Sequence, residues 1–321
     1  MLLPAGALIV SLLVLTWSAE RFVFGAAATA RTLGVSPLII GVTIVGFGTS
    51  APELLISAFA AWQGNTGLAI GNALGSNITN IALILGITAL ITPLAVASRT
   101  VRRELPVPLL CALLATALLW DRSLDMLDGS LLLLALITVL VGLVRAARGA
   151  TRPDVLETEM EAELAEPVPL TRALVWLLVS LTLLLLSARV LVWGAVSIAH
   201  TLGASDLIIG LTVVAIGTSL PELAASVASA LKQEHDIALG NVIGSNIFNL
   251  LGVLGLPGLM HPGSVPDAVV ERDMPVVLLL SVALVAMAYG GKRRPGRINR
   301  LEGAVLLSAF VAYQYLLIQQ V

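Results

Sequence analysis

Charge is scarce in this sequence, because only 12% of its 321 residues are Asp, Glu, Lys or Arg while 58% are hydrophobic. A soluble globular domain carries about 25% charged residues, so the composition excludes an ordinary soluble enzyme or binding domain. Cysteine is nearly missing as well: Cys111 is the only one, which excludes an intrachain disulfide. The chain also lacks an HExxH box, a Ser–His pairing and a paired-Asp signature, so we expect no enzyme. We expect no nucleic-acid partner; the net charge of -2 says little about partners, because charges of opposite sign lie in different loops.

What the sequence does have is a series of long apolar blocks separated by short charged segments. About 20 apolar residues span a bilayer as a helix, so the pattern predicts an all-α integral membrane protein embedded in a lipid bilayer. Ten transmembrane helices are expected, near 4–30, 37–62, 67–92, 104–120, 126–146, 170–199, 206–231, 236–260, 273–290 and 302–319.

The basic residues of the connecting loops predict the orientation. If the N-terminus is outside, the inner loops carry fourteen Lys and Arg residues and the outer loops only Arg122 and Arg272. Cytoplasmic loops of membrane proteins hold such an excess of positive charge. The sequence therefore predicts a multi-pass protein of the cell inner (cytoplasmic) membrane with both termini extracytoplasmic.

An internal repeat organises the chain. Residues 32–86 align without gaps with residues 201–255 at an offset of 169, and 28 of the 55 positions are identical. Five predicted spans separate equivalent points, and an odd number means that the two copies cross the membrane in opposite directions. Inverted repeats of this kind are typical of secondary transporters, which bind their substrates near the midplane where the repeats meet.

The repeat also predicts the domain boundaries. We expect a first five-helix repeat over 1–146, a cytoplasmic linker over 147–169 and a second, inverted five-helix repeat over 170–321. The linker is acidic and contains three prolines, which favours an exposed hinge. A regulatory cation sensor is the alternative reading of that segment.

The first duplicated motif is GTSAPE over 48–53, repeated as GTSLPE over 217–222. Pro52 and Pro221 each remove a backbone donor, so each helix is expected to kink or break there. The backbone carbonyls freed near 46–48 and 215–217 could then serve as oxygen ligands.

Each copy of this motif ends on an intramembrane glutamate, Glu53 or Glu222. A carboxylate inside the bilayer is costly and indicates a functional site, whereas a neutral Glu held by a neighbouring helix is the structural alternative. Hydroxyl side chains lie three or four residues earlier, on the same face of a helix: Thr49, Ser50, Thr218 and Ser219.

The second duplicated motif is GNALGSNITN over 71–80, repeated as GNVIGSNIFN over 240–249. A serine and an asparagine stand one helical turn apart in each copy, and we expect these four residues to line the site: Ser76, Asn80, Ser245 and Asn249. Asn72 and Asn241 share the same stripes and are expected to line the site too, whereas Asn77 and Asn246 are expected to brace the broken helices. The glycines of both copies form small-xxx-small pairs and are expected to serve close helix packing.

All of these ligands are oxygens. Oxygen ligation without Cys or His suits hard ions such as Ca²⁺, Na⁺ or Mg²⁺ and argues against Zn²⁺ or Cu⁺. Two Glu charges match one Ca²⁺, or Na⁺ ions with part of the charge offset by protons. We therefore expect metal cations as transported substrates and no separate cofactor.

At these motifs the chain resembles the calcium/cation antiporter superfamily, in particular the bacterial and archaeal sodium/calcium exchangers. The resemblance rests on GTSAPE and GTSLPE with the downstream GNALGSNITN and GNVIGSNIFN. It implies ten helices in two inverted halves, alternating access by sliding of the first and sixth spans, and several Na⁺ entering for each Ca²⁺ expelled. Carried over by position, it implies that Glu53 and Glu222 are the shared carboxylates, that the hydroxyl residues named above are further ligands, and that Gly46 and Ala215 supply backbone carbonyls.

The chain departs from the family at Asn80 and Asn249, where well-known members often carry an Asp at one or both positions. The departure argues against the potassium-dependent subtype and leaves the coupling ion open. The expected function is an electrogenic, monomeric Na⁺/Ca²⁺ antiporter, with H⁺/Ca²⁺ or other cation antiport of the same fold as the alternative and a cation channel as the more distant rival.

Overall fold

Apolar helices make up most of the protein. The computed structural model describes residues 2–32, 50–96, 103–148, 168–289 and 296–320. Its helices are α1 (Leu2–Thr32), α2 (Ala51–Trp62), α3 (Thr66–Ile78), α4 (Leu85–Ile91), α5 (Val107–Leu118), α6 (Met126–Arg148), α7 (Leu170–Leu202), α8 (Asp206–Ile209), α9 (Ala215–Thr218), α10 (Leu220–Leu231), α11 (His235–Ile247), α12 (Gly255–Met260), α13 (Met274–Tyr289) and α14 (Arg300–Ile318). A single 3₁₀ turn, Leu119–Asp121, follows α5.

Several of these helices are joined by π-helical segments instead of loops. The π segments lie at Thr79–Ile84, Gly210–Val214, Phe248–Val253 and Val269–Asp273. The segment Thr79–Ile84 joins α3 to α4, and Phe248–Val253 joins α11 to α12. Residues 66–91 and 235–260 therefore each form one continuous helical span of membrane length. π-helical turns often mark functional sites, and two of these segments contain the duplicated asparagines 80 and 249.

The helices confirm a multi-pass, all-α membrane protein. Six helices of the described residues are long and apolar enough to cross a membrane by themselves, and the pair Asp206–Thr218 and Leu220–Leu231, bent by 42°, forms a seventh span. The helices Ala51–Trp62 and Val107–Asp121 are apolar but shorter. Every predicted span overlaps one or more of the described helices, so the fold is compatible with ten spans. The predicted linker falls almost wholly outside the described residues.

The break predicted at the second proline box is present. Pro221 stands in the first turn of α10, and the chain bends at Ser219, between α9 and α10. The preceding part of the first copy, residues 33–49, lies outside the described residues, and α2 begins directly after Ser50 with Pro52 in its first turn.

Two short antiparallel ribbons connect the repeats. Strand β1 (Leu94–Ala95) pairs with β4 (Arg297–Ile298), and β2 (Ser123–Leu124) pairs with β3 (Gly263–Ser264). Each ribbon therefore contains one strand from the first repeat and one from the second. The first-repeat strands β1 and β2 precede and follow α5 in the chain. Strands of two residues carry no sequence pattern, which explains why the sequence gives no sign of them.

Close packing of α3 against the segment 206–218 depends on glycine. A Cβ on Gly71 would lie 2.5 Å from the carbonyl oxygen of Leu207 and 3.0 Å from the Cα of Gly210, and one on Gly75 would lie 2.6 Å from the Cβ of Ala215. The packing role expected for the small-xxx-small pair of the first repeat is thus confirmed. This contact brings the GNALGSNITN motif of the first repeat beside the segment that leads into the GTSLPE motif of the second repeat.

The two longest helices, α1 and α7, pack along each other. Their buried residues form a hydrophobic cluster with part of α2, whereas most of the other helices share a second cluster. Leu12 of α1 reaches the bend, because its side chain would lie 2.5 Å from a Cβ on Gly217. Leu68 and Ala69 of α3 and Ile209 and Val214 of the broken span belong to the same cluster, so the helix pair packs against the broken span through shared apolar contacts.

We expect Gly71→Ala to destabilise the fold by about 1–3 kcal/mol, because the new methyl group meets backbone atoms that cannot move aside. The measurement is thermal unfolding of the purified protein in detergent. Gly142→Ala is the matched control, since a Cβ there meets no atom of the described residues within 4 Å, and it should leave the melting temperature unchanged or slightly higher. Equal melting temperatures for both variants would contradict the packing role of Gly71.

Candidate cation site

Both intramembrane glutamates lie in the first turn of a helix that starts at a proline box. Glu53 is in the first turn of α2 and Glu222 in the first turn of α10. The N-terminal end of a helix carries partial positive charge, which stabilises a nearby carboxylate. The proline box therefore does two things: it starts a new helix inside the membrane, and it places a carboxylate at the favourable end of that helix.

The fold brings the two boxes together across the repeat interface. The hydroxyl of Ser219 donates a hydrogen bond of 3.4 Å to Oε1 of Glu53, and the Thr218 hydroxyl also lies close to that carboxylate. Glu222 is near enough to Glu53 for the two charges to interact. The hydroxyl of Ser245 faces Glu222 without meeting the geometry of a hydrogen bond. Ligands from both repeats thus converge on one place.

Each glutamate helix also contacts the π segment of the opposite repeat. Helix α2 packs against Phe248–Val253, and α10 packs against Thr79–Ile84. Asn249 and Asn80 occupy the second position of these segments, and both side chains are completely buried. A π turn widens the helix by one residue, as shown by the bond from the Leu254 N–H to the Asn249 carbonyl.

The most informative feature is a group of buried oxygen atoms that lack hydrogen bonds. Among the described residues, the buried side-chain oxygens without a partner include those of both carboxylates, three serines and both π-segment asparagines: Ser50 Oγ, Glu53 Oε2, Ser76 Oγ, Asn80 Oδ1, Glu222 Oε1 and Oε2, Ser245 Oγ and Asn249 Oδ1. Buried polar atoms are nearly always paired, and an unpaired buried carboxylate is especially costly. A hard cation would satisfy such a set of oxygens.

Most of the predicted site residues are buried, and those shown to approach one another are Glu53, Thr218, Ser219, Glu222 and Ser245. Ser50, Glu53, Ser76, Asn80, Ala215, Thr218, Ser219, Glu222, Ser245 and Asn249 are all buried. Thr49 and Gly46 lie outside the described residues. No group of three or more His, Cys, Asp and Glu side chains that could hold a metal occurs in the described part of the chain, so two carboxylates and neutral oxygens are what this place offers.

One backbone ligand differs from the expectation. The carbonyl of Ala215 accepts bonds from the N–H of Ser219, at 3.1 Å, and from the hydroxyl of Thr218, at 3.3 Å. The carbonyl that Pro221 deprives of its helical donor is that of Gly217, four residues earlier. Pro221 thus leaves the Gly217 carbonyl without its helical donor, whereas the Ala215 carbonyl already accepts two hydrogen bonds.

Asn72 and Asn241 use their amide nitrogens to hold the glutamate helices, a role that the sequence did not indicate, and whether their oxygens line the site stays a prediction. The Asn72 amide donates to the carbonyl of Glu53 at 3.0 Å and to the hydroxyl of Ser57 at 2.9 Å. Asn241 makes the equivalent bonds to Glu222 and Ser226, at 3.4 and 3.2 Å. The sequence does not show whether such an amide points toward the site or toward the neighbouring helix. Here each amide nitrogen donates to the carbonyl of Glu53 or Glu222 on the neighbouring helix.

Ser57 and Ser226 are residues that the sequence reasoning missed. Both lie one turn after the glutamate and are identical in the two copies at the offset of 169, so the repeat alone could have found them. Asn77 and Asn246 each donate to a carbonyl of their own helix, at 2.8 and 2.7 Å. Their bonds brace the helix ahead of the π segments, as expected.

Comparison with known proteins agrees with this arrangement. The family model described as sodium/calcium exchanger protein matches residues 3–145 and 172–319. The chain belongs to the sodium/calcium exchanger family. It is 53% identical over 310 residues to the candidate antiporter CaxA of Alkalimonas amylolytica, covering 96% of this chain and 97% of that protein. It is 43% identical over 315 residues to the inner membrane protein YrbG of Escherichia coli (strain K12), covering 98% and 96%.

A solved exchanger shares the fold. The sodium-calcium exchanger NCX_Mj, in a crystal soaked with 2.5 mM Na⁺ and 10 mM Sr²⁺, superposes with a TM-score of 0.67 at 33% identity, and 97% of each chain is covered. Membership of this family makes the chain a membrane antiporter for cations including Ca²⁺, and confirms the resemblance that the two duplicated motifs indicate.

We expect Asn72→Ala to lower both stability and ion binding, because it removes two buried hydrogen bonds that hold α2. Stranded buried partners cost about 1–3 kcal/mol, and a displaced Glu53 should shrink the rise in melting temperature produced by added Ca²⁺. Thermal unfolding with and without Ca²⁺ measures both effects.

The control is Ser281→Ala, which removes a buried hydroxyl bonded only to the Val277 carbonyl of its own helix. It should keep the full stabilisation by Ca²⁺. If Asn72→Ala melts earlier yet gains as much from Ca²⁺ as the wild type, Asn72 supports the fold and does not position Glu53.

Proposed function

We propose that this exchanger couples the entry of Na⁺ to the expulsion of Ca²⁺ across the cytoplasmic membrane. The observation that carries the proposal is the buried cluster of unpaired oxygens supplied by both repeats. The proposed ligands are Glu53, Glu222, Thr49, Ser50, Thr218, Ser219, Ser76, Ser245, Asn80 and Asn249, with the backbone at 46 and 215–217. Two carboxylates and several neutral oxygens match the hard-ion chemistry of both Ca²⁺ and Na⁺.

Exchange follows from competition for one set of ligands. A single Ca²⁺ neutralises Glu53 and Glu222, and so do two Na⁺ ions, so the two occupancies exclude each other. With amides at Asn80 and Asn249, no further carboxylate is present among the described ligands to hold an additional cation. Net charge movement then depends on whether more than two Na⁺ enter, which the neutral ligands would have to accommodate.

Alternating access would come from the helix pair α1 and α7. The pair packs on itself and presents Leu12 to the bend at Gly217, beside the site. Sliding of this pair along the rest of the bundle would cover one side of the site and uncover the other. The two interleaved ribbons would hold the remaining helices as one scaffold, because each contains a strand from either repeat.

Coupling to protons is the second candidate. Both carboxylate oxygens of Glu222 lack a hydrogen-bond partner among the described residues, so this group could accept a proton as readily as a metal ion. A channel fits less well, because the site is formed between inverted repeats and not around an axis shared by parallel subunits.

The decisive experiment is Ca²⁺ uptake into proteoliposomes that contain the purified protein. An imposed Na⁺ gradient should drive uptake of radioactive Ca²⁺, and Glu53→Gln or Glu222→Gln should lower the rate about a hundredfold or more, since ligand charge sets Ca²⁺ affinity. Glu271→Gln is the matched control because Glu271 is an exposed carboxylate paired with Arg122, and it should transport normally.

Uptake driven equally well by a pH gradient without Na⁺ would replace sodium by protons as the coupling ion. Flux that only follows the Ca²⁺ gradient, with no dependence on a counter-ion, would indicate a channel. Normal transport by both glutamate variants would remove the site from the mechanism.

We also propose a monomer with both termini outside the cytoplasmic membrane, and repeats over 1–146 and 170–321 joined by a cytoplasmic linker over 147–169. The excess of basic residues in alternate loops supports the orientation. The name of YrbG as an inner membrane protein supports the membrane. Ligands from both repeats of one chain form the site, which supports a monomer.

Labelling of single cysteines tests the orientation. The native Cys111 is buried, so it should stay unlabelled, while Ser264 and Lys232 are exposed in loops at opposite ends of the bundle. A membrane-impermeant maleimide should label Ser264→Cys in intact spheroplasts and Lys232→Cys only after permeabilisation. The reverse pattern would invert the proposed topology.

A further inference from the structure

Arg189 is a positive charge on the lipid-facing side of a membrane span. It belongs to the apolar stretch Leu170–Ile198 of α7, and it is exposed between the exposed apolar residues Leu186 and Val190. Among the described residues its guanidinium has no ion pair. A charged side chain in this position is costly unless it finds a counter-charge or reaches the membrane boundary, and the described residues provide Arg189 with no counter-charge.

A cleft lies at this arginine. Its volume is about 310 Å³, and it is lined by Phe59, Trp62 and Gln63 at the end of α2 and by Arg189 and Trp193 on α7. The rings of Phe59 and Trp62 are stacked 6.2 Å apart. The indoles of Trp62 and Trp193 remain 74% and 47% exposed, so the apolar walls of the cleft are open to the surroundings.

The position of the aromatic residues places the cleft at the membrane boundary. Trp62 is the last residue of α2, and the chain turns there into α3. Tryptophan collects at the level of the lipid headgroups. Arg189 lies one helical turn from Trp193, about 6 Å further along the axis, and its long side chain can extend back to the headgroup level. Phosphate groups are the anions found at that level.

The duplication of the fold does not account for the cleft. At the offset of 169, the residues in the opposite repeat that correspond to its lining are Glu20, Phe24, Ala228, Leu231 and Lys232. The opposite side thus has an acid in place of Arg189 and keeps one aromatic residue of the three. The cleft is a property of one end of the molecule.

We propose that this cleft binds one anionic phospholipid, with its phosphate on Arg189 and a hydroxylated headgroup beside Gln63. A guanidinium matches a phosphate with two parallel hydrogen bonds, and a side-chain amide can both donate to and accept from a hydroxyl. The described residues that line the cleft include no acid to receive an ammonium group, and a headgroup amine would be repelled by the arginine. The aromatic rings would cover the glycerol and the first part of an acyl chain.

Such a lipid would connect two parts of the protein that carry different roles. Helix α2 begins with Glu53 at the cation site and ends with Trp62 at the cleft, whereas α7 belongs to the pair packed on α1. A lipid that contacts both would influence their relative position. Its binding is independent of the transported ion, so a failure of this proposal would leave the proposed exchange unaffected.

Native mass spectrometry of the full chain in detergent can test the binding directly. Phosphatidylglycerol and phosphatidylethanolamine with identical acyl chains are titrated separately. The wild type should retain one phosphatidylglycerol with about tenfold lower Kd than phosphatidylethanolamine, and Arg189→Gln should weaken phosphatidylglycerol binding about tenfold, as expected for loss of a charge-assisted hydrogen bond.

Arg21→Gln is the matched control, because Arg21 is another exposed arginine of a span but has partners, lying 5.2 Å from the ring centre of Trp176 and 5.9 Å from that of Trp17. It should bind phosphatidylglycerol like the wild type. Equal binding by Arg189→Gln and the wild type would overturn the proposal, as would equal affinity of the wild type for both lipids. Release of the bound lipid by millimolar inorganic phosphate would also overturn it, since it would indicate a site for soluble anions.

Discussion

The fold depends on keeping two carboxylates inside an apolar helical bundle. Glu53 and Glu222 are completely buried, and an unpaired charge in such a place would cost far more than the few kcal/mol by which proteins are stable. Each of the surrounding features reduces that cost. The proline boxes put both carboxylates at helix N-termini, the hydroxyl of Ser219 bonds to one of them, and the remaining oxygens suit a cation. The bundle is thus built to be completed by its transported ion.

The inverted repeat explains how short motifs can form such a site. Each glutamate helix packs on the π segment of the other copy, so neither repeat contains a full set of ligands by itself. The backbones approach closely because Gly71 and Gly210 leave no side chain between them. Asn72 and Asn241 then fix each glutamate helix to the next helix of its own repeat. Positioning is therefore local to a repeat, whereas the contacts that bring the two glutamates together cross between repeats.

The glutamates, the helix break and the membrane spans could be predicted from the sequence, the first two because the motifs that indicate them occur twice. Two copies of GTS-x-PE at one offset identify the glutamates, the break at Pro221 and the helix polarity, and the apolar blocks give the spans. Other features have no comparable pattern. The π segments at Asn80 and Asn249 and the two-residue ribbons depend on tertiary packing. The direction of the Asn72 amide depends on a carbonyl 19 residues earlier in the chain. The capping box of Asn299 and Glu302 at α14 is a local signal that sequence reasoning could have used.

The two repeats agree closely at the site and differ at the membrane boundary, for a physical reason. In the proposed exchange, residues at the site would meet the same ions from either side of the membrane, and equivalent positions carry the same glutamate, serine and asparagine. Residues at the boundary meet two different surroundings, because basic residues concentrate in the cytoplasmic loops. Lys232 corresponds to Gln63 in this sense, whereas Glu20 and Arg189 differ in the opposite sense, with the basic residue toward the proposed extracytoplasmic end. An inverted duplication gives both ends the same backbone, and only the side chains at the ends can distinguish the leaflets. The cleft at Arg189 is where that distinction is largest among the described residues.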